Sequence, residues 1–350
     1  MKNKKMLLAM ICATVVMTSC DEKPNEDIVS DFSSGVYIVN EGAFMSSNAS
    51  VSHVTTEGKM TTDPYYDANG VPLGDVLTSF VTSGSRGYAV LNGSGRVEVV
   101  NLKDFKNLAT VDGFDYPRHL AIVSDELAVV TDGSMEGSLR FIDLNSNTVV
   151  EATAVGKGPE GVFADDQHIF VCNSGGWTLD STVSVIDVVT RDVVETIEVG
   201  HRPVQMVQDI AGNGWVLCSG ETYYDADWNV TGHSHAALYK IDMQNFTVLD
   251  SFQLGESGDH PMRMAISGDG NKIYVVNHGI YEKDVTGPGE PTLLISGEFQ
   301  AIGVHPVSGD IWTAGISDFV NPSAVRRHDS NGNPKSDFEA GIGAGAFGFK

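Results

Sequence analysis

The residues most able to do chemistry in this chain are aromatic, basic and histidine side chains in polar segments between short apolar runs. Tyr and Trp combine a large apolar surface with one polar group, which suits the binding of a large, flat or amphipathic molecule. Long segments of this kind cost conformational entropy, so we expect them to carry function. The predicted ligand-binding residues are Phe44, Tyr65, Tyr66, Asn69, Tyr116, Arg118, Trp177, His201, Arg202, Tyr223, Tyr224, Trp228, His260, Arg263, Tyr281, Phe299 and Asp318.

Two interpretations of these residues compete. A single aromatic side chain could simply cover a loop or a strand edge, and for any one residue this explanation is as good as ligand binding. For the whole set, binding is favoured, because clustered exposed aromatic residues usually mark a binding surface.

Motifs for catalysis are missing from the sequence, which has no GxSxG nucleophile turn, no HExxH motif and no phosphate-binding glycine loop. His233 and His235 could supply two metal ligands, but an isolated HxH in a polar loop is more often solvated. A hydrolase or lyase with a central cation held by Glu41, Glu160 and Asn173 is a further hypothesis, for which the residue set is incomplete. We therefore expect no catalytic residues and no metal ligands.

The polar segments separate strands that recur in a regular unit. In Gly156–Gly200 a Gly-Pro turn is followed by four short strands, with Asp165, Asp166 and Asp187 in the turns between them. Four antiparallel strands in about 40–50 residues are typical of a β-propeller blade. The complete units are Gly74–Val111, Asp112–Val155, Gly156–Gly200, His201–Leu254, Gly255–Ser296 and Gly297–Ala340.

The two ends of the chain complete the ring. Gly341–Phe349 supplies one innermost strand, and three strands between Gly35 and Thr62 lack one, so together they make a seventh blade. Joining both ends in one blade removes a free sheet edge. The sequence predicts an all-β, seven-bladed β-propeller of four-stranded antiparallel blades over residues 35–350, without helices.

The loops divide between the two faces of such a ring. The turns into each innermost strand share a face with the loops that follow each second strand, whereas the other turns are short and rich in Gly and Asp. All the predicted ligand-binding residues fall in the first group. This group includes Asn277–Glu290, interpreted as a loop that carries Tyr281. The expected ligand platform is therefore one face of the ring.

The first residues resemble a bacterial lipoprotein signal. Three lysines precede an apolar run, Met6–Met17, that is too short to span a bilayer. Val16–Cys20 resembles a lipobox, so we expect removal of residues 1–19 and acylation of Cys20. Residues 20–34 are polar and predict a flexible tether. The expected location is the outer membrane, with a lipid anchor and exposure at the cell surface.

The chain is strongly acidic, with 22 basic and 46 acidic residues and a net charge of −24. Loss of residues 1–19 removes three lysines and no acidic residue, which makes the charge −27. Nucleic acid is a poor partner for such a surface, because phosphate binding needs basic patches. Anionic ligands are repelled as well.

Two of the four cysteines lie outside the signal region, namely Cys172 and Cys218. We interpret them as buried, small apolar residues. A disulfide between neighbouring blades is the alternative, although the distance between such positions is usually too long.

The pattern of Gly-x-x-Pro before a strand and Ile-Asp after a later one, as in Gly156–Gly200, resembles YncE-like seven-bladed propellers. Val36–Gly42 and Ala68–Val76 resemble the opening of Bacteroidetes surface lipoprotein propellers, a group that includes the cobalamin-binding protein BtuG. The resemblance implies a protein that binds cobalamin or a related corrinoid as a transported ligand and passes it to a TonB-dependent outer-membrane transporter. The alternative is a propeller that docks a transporter or another surface protein without a small ligand.

Overall fold

A computed structural model describes residues 31–133 and 135–350. Seven four-stranded antiparallel sheets make up this part of the chain. The innermost strands of successive sheets contact one another around a common axis, and the last of them contacts the first. The all-β, seven-bladed propeller predicted from the sequence is confirmed.

The blades are numbered in chain order, and the strands of each blade are described in the order of the sequence. Blade 1 contains β1 (Val36–Asn40), β2 (Ser50–Val54) and β3 (Met60–Thr61). Blade 2 contains β4 (Leu77–Ser83), β5 (Arg86–Leu91), β6 (Arg96–Asn101) and β7 (Asn107–Asp112). Blade 3 contains β8 (Pro117–Ile122), β9 (Leu127–Asp132), β10 (Gly137–Asp143) and β11 (Thr148–Val155). Blade 4 contains β12 (Pro159–Ala164), β13 (His168–Asn173), β14 (Thr182–Asp187) and β15 (Val193–Glu198).

Blade 5 carries an additional hairpin between its second and third strands. It contains β16 (Pro203–Gln208), β17 (Asn213–Cys218), the hairpin strands β18 (Thr222–Tyr224) and β19 (Val230–His233), β20 (Ala236–Asp242) and β21 (Thr247–Leu254). Blade 6 contains β22 (Met264–Ile266), β23 (Lys272–Val276), β24 (Gly279–Asp284) and β25 (Thr292–Ser296). Blade 7 contains β26 (Phe299–Val304), β27 (Ile311–Gly315), β28 (Pro322–His328) and β29 (Pro334–Ile342). The last strand is β30 (Ala344–Phe349).

Blade 1 joins the two ends of the chain, because β30 is its innermost strand. β30 pairs with β1 in antiparallel register, with Val36 opposite Phe349. Beyond this pair, Gly35 and Lys350 exchange backbone hydrogen bonds of 2.7 and 3.0 Å. β30 covers the edge of β1 and also contacts β26 and β4, so the ring of innermost strands closes without a gap. The predicted composite blade is confirmed.

The core lies in the layers between neighbouring blades. Between blades 5 and 6, the fully buried Trp215 stacks on Phe252 at 5.6 Å between ring centroids and packs with Leu238 and Met264. Each sheet is buried on both sides by such layers. A blade therefore cannot be stable alone, which is the physical reason for the ring.

Asp and Asn residues cap the turns between third and fourth strands, as the sequence predicted. Asp143 Oδ1 accepts from the backbone N–H groups of Asn145 and Ser146 at 2.8 and 2.9 Å. These hydrogen bonds lower the pKa of Asp143. In the equivalent turns the residue four positions later has a left-handed φ of 53° to 62°: Phe105, Asn147, Arg191 and Phe246.

Blade 6 contains a strand that the sequence analysis interpreted as a loop. β24 pairs with both β23 and β25, so Tyr281 lies in a strand. The prediction was wrong because a charged residue, Lys283, occupies a buried position of this strand. Its ammonium group donates to Asp284 O at 2.7 Å and lies 4.4 Å from the ring centroid of Phe252. This buried lysine interrupts the alternation of apolar and polar residues by which a strand is recognised in a sequence.

A short helix, α1 (Pro64–Asn69), contradicts the expectation of a chain without helices. Asp63 caps its start by accepting from Tyr66 N–H at 3.0 Å, and Pro64 occupies the first turn. Gly70 ends it in a left-handed conformation with a φ of 69°. Six residues are too few to show helical periodicity, which is why this element was missed.

The predicted signal peptide (1–19) and the acylated Cys20 lie outside the described residues. The predicted tether (20–34) overlaps the described part at its end, where Phe32 is buried. Its ring meets Phe105 edge-on at 5.1 Å between centroids. Packing of the propeller therefore begins at Phe32, a few residues before the predicted boundary. No helix in 31–133 or 135–350 has the length and apolar character needed to cross a membrane.

Cys172 and Cys218 are free thiols, buried in the layer between blades 4 and 5. Burial raises the pKa of both thiols well above the ordinary value. Their interpretation as buried, small apolar residues is confirmed, and the alternative of a disulfide does not hold.

Removal of residues 344–350 tests whether ring closure stabilises the fold. We expect a loss of more than about 4 kcal/mol in the free energy of unfolding, because blade 1 loses its innermost strand and blades 2 and 7 each lose a packing partner. Urea denaturation followed by circular dichroism measures it. Lys350→Ala, which keeps the backbone hydrogen bonds to Gly35, is the control, with an expected change under about 1 kcal/mol. An unchanged midpoint for the deletion would show that the ring does not depend on β30.

Candidate ligand-binding face

The loop-rich face is the side of the ring on which the chain enters each innermost strand and leaves each second strand. A depression of about 600 Å³ lies near the axis on this face. Small-molecule sites typically have volumes of roughly 300–1,000 Å³. Four of the predicted residues line the depression: Arg118, His260, Arg263 and Phe299.

The innermost strands of blades 3 and 4 place an ion pair at the edge of this depression. Arg118 of β8 donates from Nε and Nη2 to the two carboxylate oxygens of Glu160 of β12, at 2.9 and 2.7 Å. His119 Nε2 lies 3.3 Å from the same carboxylate. Burial alone would raise the pKa of Glu160, but the charge of Arg118 and hydrogen bonds from both neighbours hold it well below its ordinary value. Glu160 is thus a buried anion whose charge is balanced within the protein.

A second arginine links blades 6 and 1. Arg263 Nε donates to Gly345 O at 3.0 Å, and its Nη2 lies 3.5 Å from Glu41 Oε1. Both arginines of the depression are therefore held by carboxylates. Asp259 and Glu298 add acidic charge to the same lining. The depression consequently disfavours an anionic ligand.

A smaller depression of about 200 Å³ adjoins the first one. It is lined by Tyr116, Trp177 and Arg202, while Arg118 and Met262 belong to both depressions. The side chain of Trp177 is 77% exposed, so its ring is free to cover a ligand.

Arg202 connects the loop of Trp177 with the β18–β19 hairpin. Its Nη1 and Nη2 donate to Gly176 O and Thr178 O, each at 3.2 Å, in the loop of Trp177. Its Nε pairs with Glu221 at the base of the β18–β19 hairpin. All three guanidinium nitrogens of Arg202 contact protein groups. Arg202 therefore positions these loops and does not offer a free cation to a ligand.

The β18–β19 hairpin carries exposed aromatic residues. Near its tip the rings of Tyr224 and Trp228 lie 5.9 Å apart between centroids, and Trp228 is 81% exposed. At its base His201 meets Tyr223 edge-on at 6.2 Å. The sequence analysis assigned Tyr223, Tyr224 and Trp228 to a loop that follows a second strand, whereas backbone pairing makes the segment a two-stranded ribbon.

Thr222 ties this hairpin to the central depression. Its Oγ1 lies 2.9 Å from both His233 Nδ1 and His260 Nε2. His235 instead has its Nδ1 2.9 Å from Gln253 Nε2. His233 and His235 therefore have different partners and do not converge on one point.

Tyr281 borders a third cavity of about 400 Å³, together with Leu254 and Pro291, between blades 5 and 6. Asn277 lines both this cavity and the central depression. Tyr281 thus lies beside the depression and not in it.

Three predicted residues lie elsewhere, because Tyr65, Tyr66 and Asn69 belong to α1. Asn69 Nδ2 donates to Phe105 O at 2.9 Å, and its Oδ1 accepts from Asn107 N–H at 2.9 Å. That turn, between β6 and β7, is on the opposite face. The placement of Asn69 on the loop-rich face is therefore wrong, and Tyr65 and Tyr66 precede it in the same helix, where Tyr65 is buried. The physical reason is that β3 has only two residues, after which α1 takes the chain toward the opposite face.

Phe44 and Asp318 lie in the loops of blades 1 and 7 at the rim of the loop-rich face. Phe44 is exposed. The Asp318 carboxylate accepts from the backbone N–H groups of Asn321 and Val320 at 2.8 and 2.9 Å. These hydrogen bonds lower the pKa of Asp318 to about 2. Asp318 therefore caps its own turn, and its neighbour Phe319 lines the depression.

Backbone strain occurs at several places on this face. Arg202, Trp228, His278 and Phe319 have φ values of 50° to 64°. Residues other than glycine rarely adopt this left-handed conformation. Such conformations persist where surrounding contacts fix them, and they concentrate at binding sites.

Sequence analysis missed Met262, which lines both depressions and is 44% exposed. It also missed His119, Asp259, Glu298 and Gln300, all of which line the central depression. Each of these residues is next in sequence to a predicted one, namely Arg118, His260, Arg263 or Phe299. Their position in the same entry turns was the feature of the sequence that could have identified them.

The residues of the central-cation hypothesis are engaged by protein groups, except that the buried Asn173 Oδ1 has no hydrogen-bond partner among the described residues. Glu41 and Glu160 pair with arginines, as described above. Asn173 Nδ2 donates to the hydroxyl groups of Thr182 and Ser184 at 2.9 and 3.0 Å. In the part of the chain that the structure describes, no three His, Cys, Asp or Glu side chains are grouped so that they could hold a metal ion.

The fold and this face together define a seven-bladed β-propeller with a concave surface, bordered by aromatic residues, at one end of its axis. The chain belongs to the DUF5074 family, described as a domain of unknown function, whose model matches residues 34–340. No curated protein matches the sequence.

Two solved structures share the architecture. Hydrazine synthase from Kuenenia stuttgartiensis is 16% identical, with a TM-score of 0.64 over 87% of this chain and 98% of that chain. A quinonprotein alcohol dehydrogenase-like protein from Bacteroides thetaiotaomicron is 17% identical, with a TM-score of 0.66 over 91% of this chain and 79% of that chain. Likeness at this level of identity shows the fold alone.

Substitution of Glu160 by Gln tests how much the ion pair between Glu160 and Arg118 stabilises the fold. At neutral pH we expect a loss of about 3 kcal/mol in the free energy of unfolding, because Arg118 loses its partner. The pKa of Glu160 in the folded state is below its ordinary value of 4.5. The stabilisation by the ionised Glu160 carboxylate is therefore complete above pH 4.5, and it is lost as the pH falls toward the pKa of Glu160 in the folded state. Urea denaturation at neutral and acidic pH measures it.

Glu41→Gln is the matched control, since the Glu41–Arg263 pair is longer and more exposed. It should cost less than about 1 kcal/mol. Two outcomes would contradict the assignment of Glu160 as a stabilising buried anion. One is an equal loss of unfolding free energy in the two variants, and the other is a loss in Glu160→Gln that is as large at acidic pH as at neutral pH.

Substitution of Arg202 by Ala should separate the loop of Trp177 from the β18–β19 hairpin. We expect amide hydrogen exchange in 174–181 and 221–234 to rise by roughly tenfold, with the rest of the ring unchanged. Mass spectrometry of peptic fragments measures the exchange. Arg326→Ala, which removes an exposed pair with Asp337, is the control. Unchanged protection in the Arg202 variant would show that other contacts hold these loops.

Proposed function

We propose that this protein binds a large amphipathic molecule of the corrinoid class, such as cobalamin, on the loop-rich face. The observation that carries the proposal is the central depression of about 600 Å³ with a second one of about 200 Å³ beside it. Phe299, Met262 and Trp177 supply apolar surface to these depressions. Small-molecule sites combine such apolar linings with a few placed polar groups.

The chemistry of the lining suits a corrinoid, which is a flat ring bordered by amide side chains. Trp177, Phe299 and Met262 suit the apolar ring, since aromatic and thioether groups contact flat surfaces well. Asn277 and Gln300 line the depression. Asn277 Nδ2 donates to Asp259 and Gln300 Oε1 accepts from Ser317 N–H, so Asn277 Oδ1 and Gln300 Nε2 are the amide atoms that would face a ligand. The arginines are already paired with carboxylates. A neutral or cationic ligand is therefore favoured over an anionic one.

Transfer to a TonB-dependent outer-membrane transporter is the second part of the proposal. It is supported by the resemblance of Val36–Gly42 and Ala68–Val76 to Bacteroidetes surface lipoprotein propellers, and by the lipobox-like segment that ends at Cys20. In this proposal acylated Cys20 anchors the protein in the outer membrane, and the loop-rich face captures the corrinoid before transfer.

Docking of a protein on the same face, without a small ligand, is the alternative. Trp177 and Trp228 favour it, because both are mostly exposed. Exposed tryptophans often supply much of the energy of a protein interface. Pull-down from outer membranes with and without cyanocobalamin separates the two functions. Capture of a transporter only with the corrinoid supports the first, and equal capture in both conditions supports the second.

Isothermal titration with cyanocobalamin tests corrinoid binding directly. We expect binding at micromolar or lower concentration. Trp177→Ala should weaken it by roughly tenfold, through loss of an aromatic contact of about 1.4 kcal/mol. Val307→Ala, in an exposed turn on the opposite face, should leave it unchanged. No binding of cyanocobalamin at micromolar concentration would end the proposal.

A further inference from the structure

Met262 borders three cavities. It lines the central depression, the smaller depression beside Trp177, and a channel of about 340 Å³ along the axis of the ring. Among residues 31–133 and 135–350, it alone lines all three. It shares the boundary between the central depression and the channel with Thr78, His119 and Arg263, and of these four it alone also reaches the smaller depression.

The channel below Met262 is lined by residues from all seven innermost strands. Near the loop-rich face its lining includes the polar side chains of His119, Gln205 and Arg263. Because every innermost strand runs away from that face, residues late in each strand lie deeper. The deeper lining is largely apolar and includes Val81, Val207, Ile266, Val304 and Phe349.

Contacts with blades 1 and 5 hold the segment around Met262. The next residue, Arg263, is held by Gly345 O and Glu41 on the blade 1 side of the axis. The sulfur of Met262 lies 3.4 Å from Ser219 Oγ of blade 5. A thioether on an unbranched chain is polarizable and fits irregular surfaces, which suits contact with a flat ring.

We propose that Met262 is the specificity-determining residue of the loop-rich face. It forms the floor on which a flat ligand rests, and it closes the axial channel to slender aliphatic chains. The role as a floor rests on the proposed function, whereas the role as a gate does not. Removal of the side chain joins the depression to the channel.

Met262→Ala and Met262→Leu test the proposal with two probes, each measured by isothermal titration. The first probe is cyanocobalamin. The second is decyltrimethylammonium below its micelle concentration, whose cationic head suits the acidic depression. In the Ala variant we expect affinity for cyanocobalamin to fall by roughly tenfold and affinity for the decyl probe to rise by roughly tenfold. The Leu variant keeps volume and apolar character, so both affinities should stay within about threefold of wild type.

Tetramethylammonium, which has the head group without the chain, should show no gain in the Ala variant. Thermal unfolding of each variant checks that the ring is intact. A gain for the decyl probe in Ala but not in Leu supports the gate. No gain in Ala, an equal gain in Leu, or a gain for tetramethylammonium overturns it.

Failure of the proposed function is distinguishable from failure of this inference. If wild type binds no cyanocobalamin, the corrinoid proposal fails, and the decyl probe still decides whether Met262 closes the channel. If wild type binds cyanocobalamin and the Ala variant binds it equally well, the role of Met262 as a floor is overturned.

Discussion

The pairing of β30 with β1 is the constraint on which the rest of the structure depends. It closes the ring, and it also places Gly345 and Glu41 side by side although they come from opposite ends of the chain. Arg263 contacts both and so holds one edge of the central depression. Without this pairing, β1 would be an open edge, β26 and β4 would each lose a packing neighbour, and the rim loops of blades 7 and 1 would have no common axis. The pairing that closes the ring therefore also fixes the geometry of the loop-rich face.

Both faces of the ring combine contacts within single blades and contacts between blades. On the opposite face, repeated Asp caps and left-handed residues such as Asn147 serve single turns, while Asn69 and Arg86 contact the next blade. On the loop-rich face, contacts between blades hold the segments that carry Trp177 and the β18–β19 hairpin. Arg202 joins the loop of Trp177 to Glu221, and Thr222 reaches His260 of the next blade. Loops that are already ordered lose less entropy when a ligand binds, so these contacts favour binding.

Much of the fold follows from sequence patterns, because period-two strands and Gly/Asp turns are local signals. Blade 6 was misread because Lys283 fills a buried position with a charged group, and α1 was missed because six residues show no period. The binding face was predicted less well, since side chains meet there through long-range contacts. Asp318 satisfies its own backbone, Asn69 binds the far side of blade 2, and Met262 gains its position only when all seven blades converge.

Hydrogen exchange of the whole chain, with and without cyanocobalamin, tests the capture of a corrinoid on this face most directly. The account predicts new protection in 117–119, 174–178, 258–263 and 298–300, which border the two depressions from four different blades. It also predicts unchanged exchange in the turns 143–147 and 187–191 on the opposite face. Protection confined to those turns, or no change anywhere under saturating ligand, would contradict it.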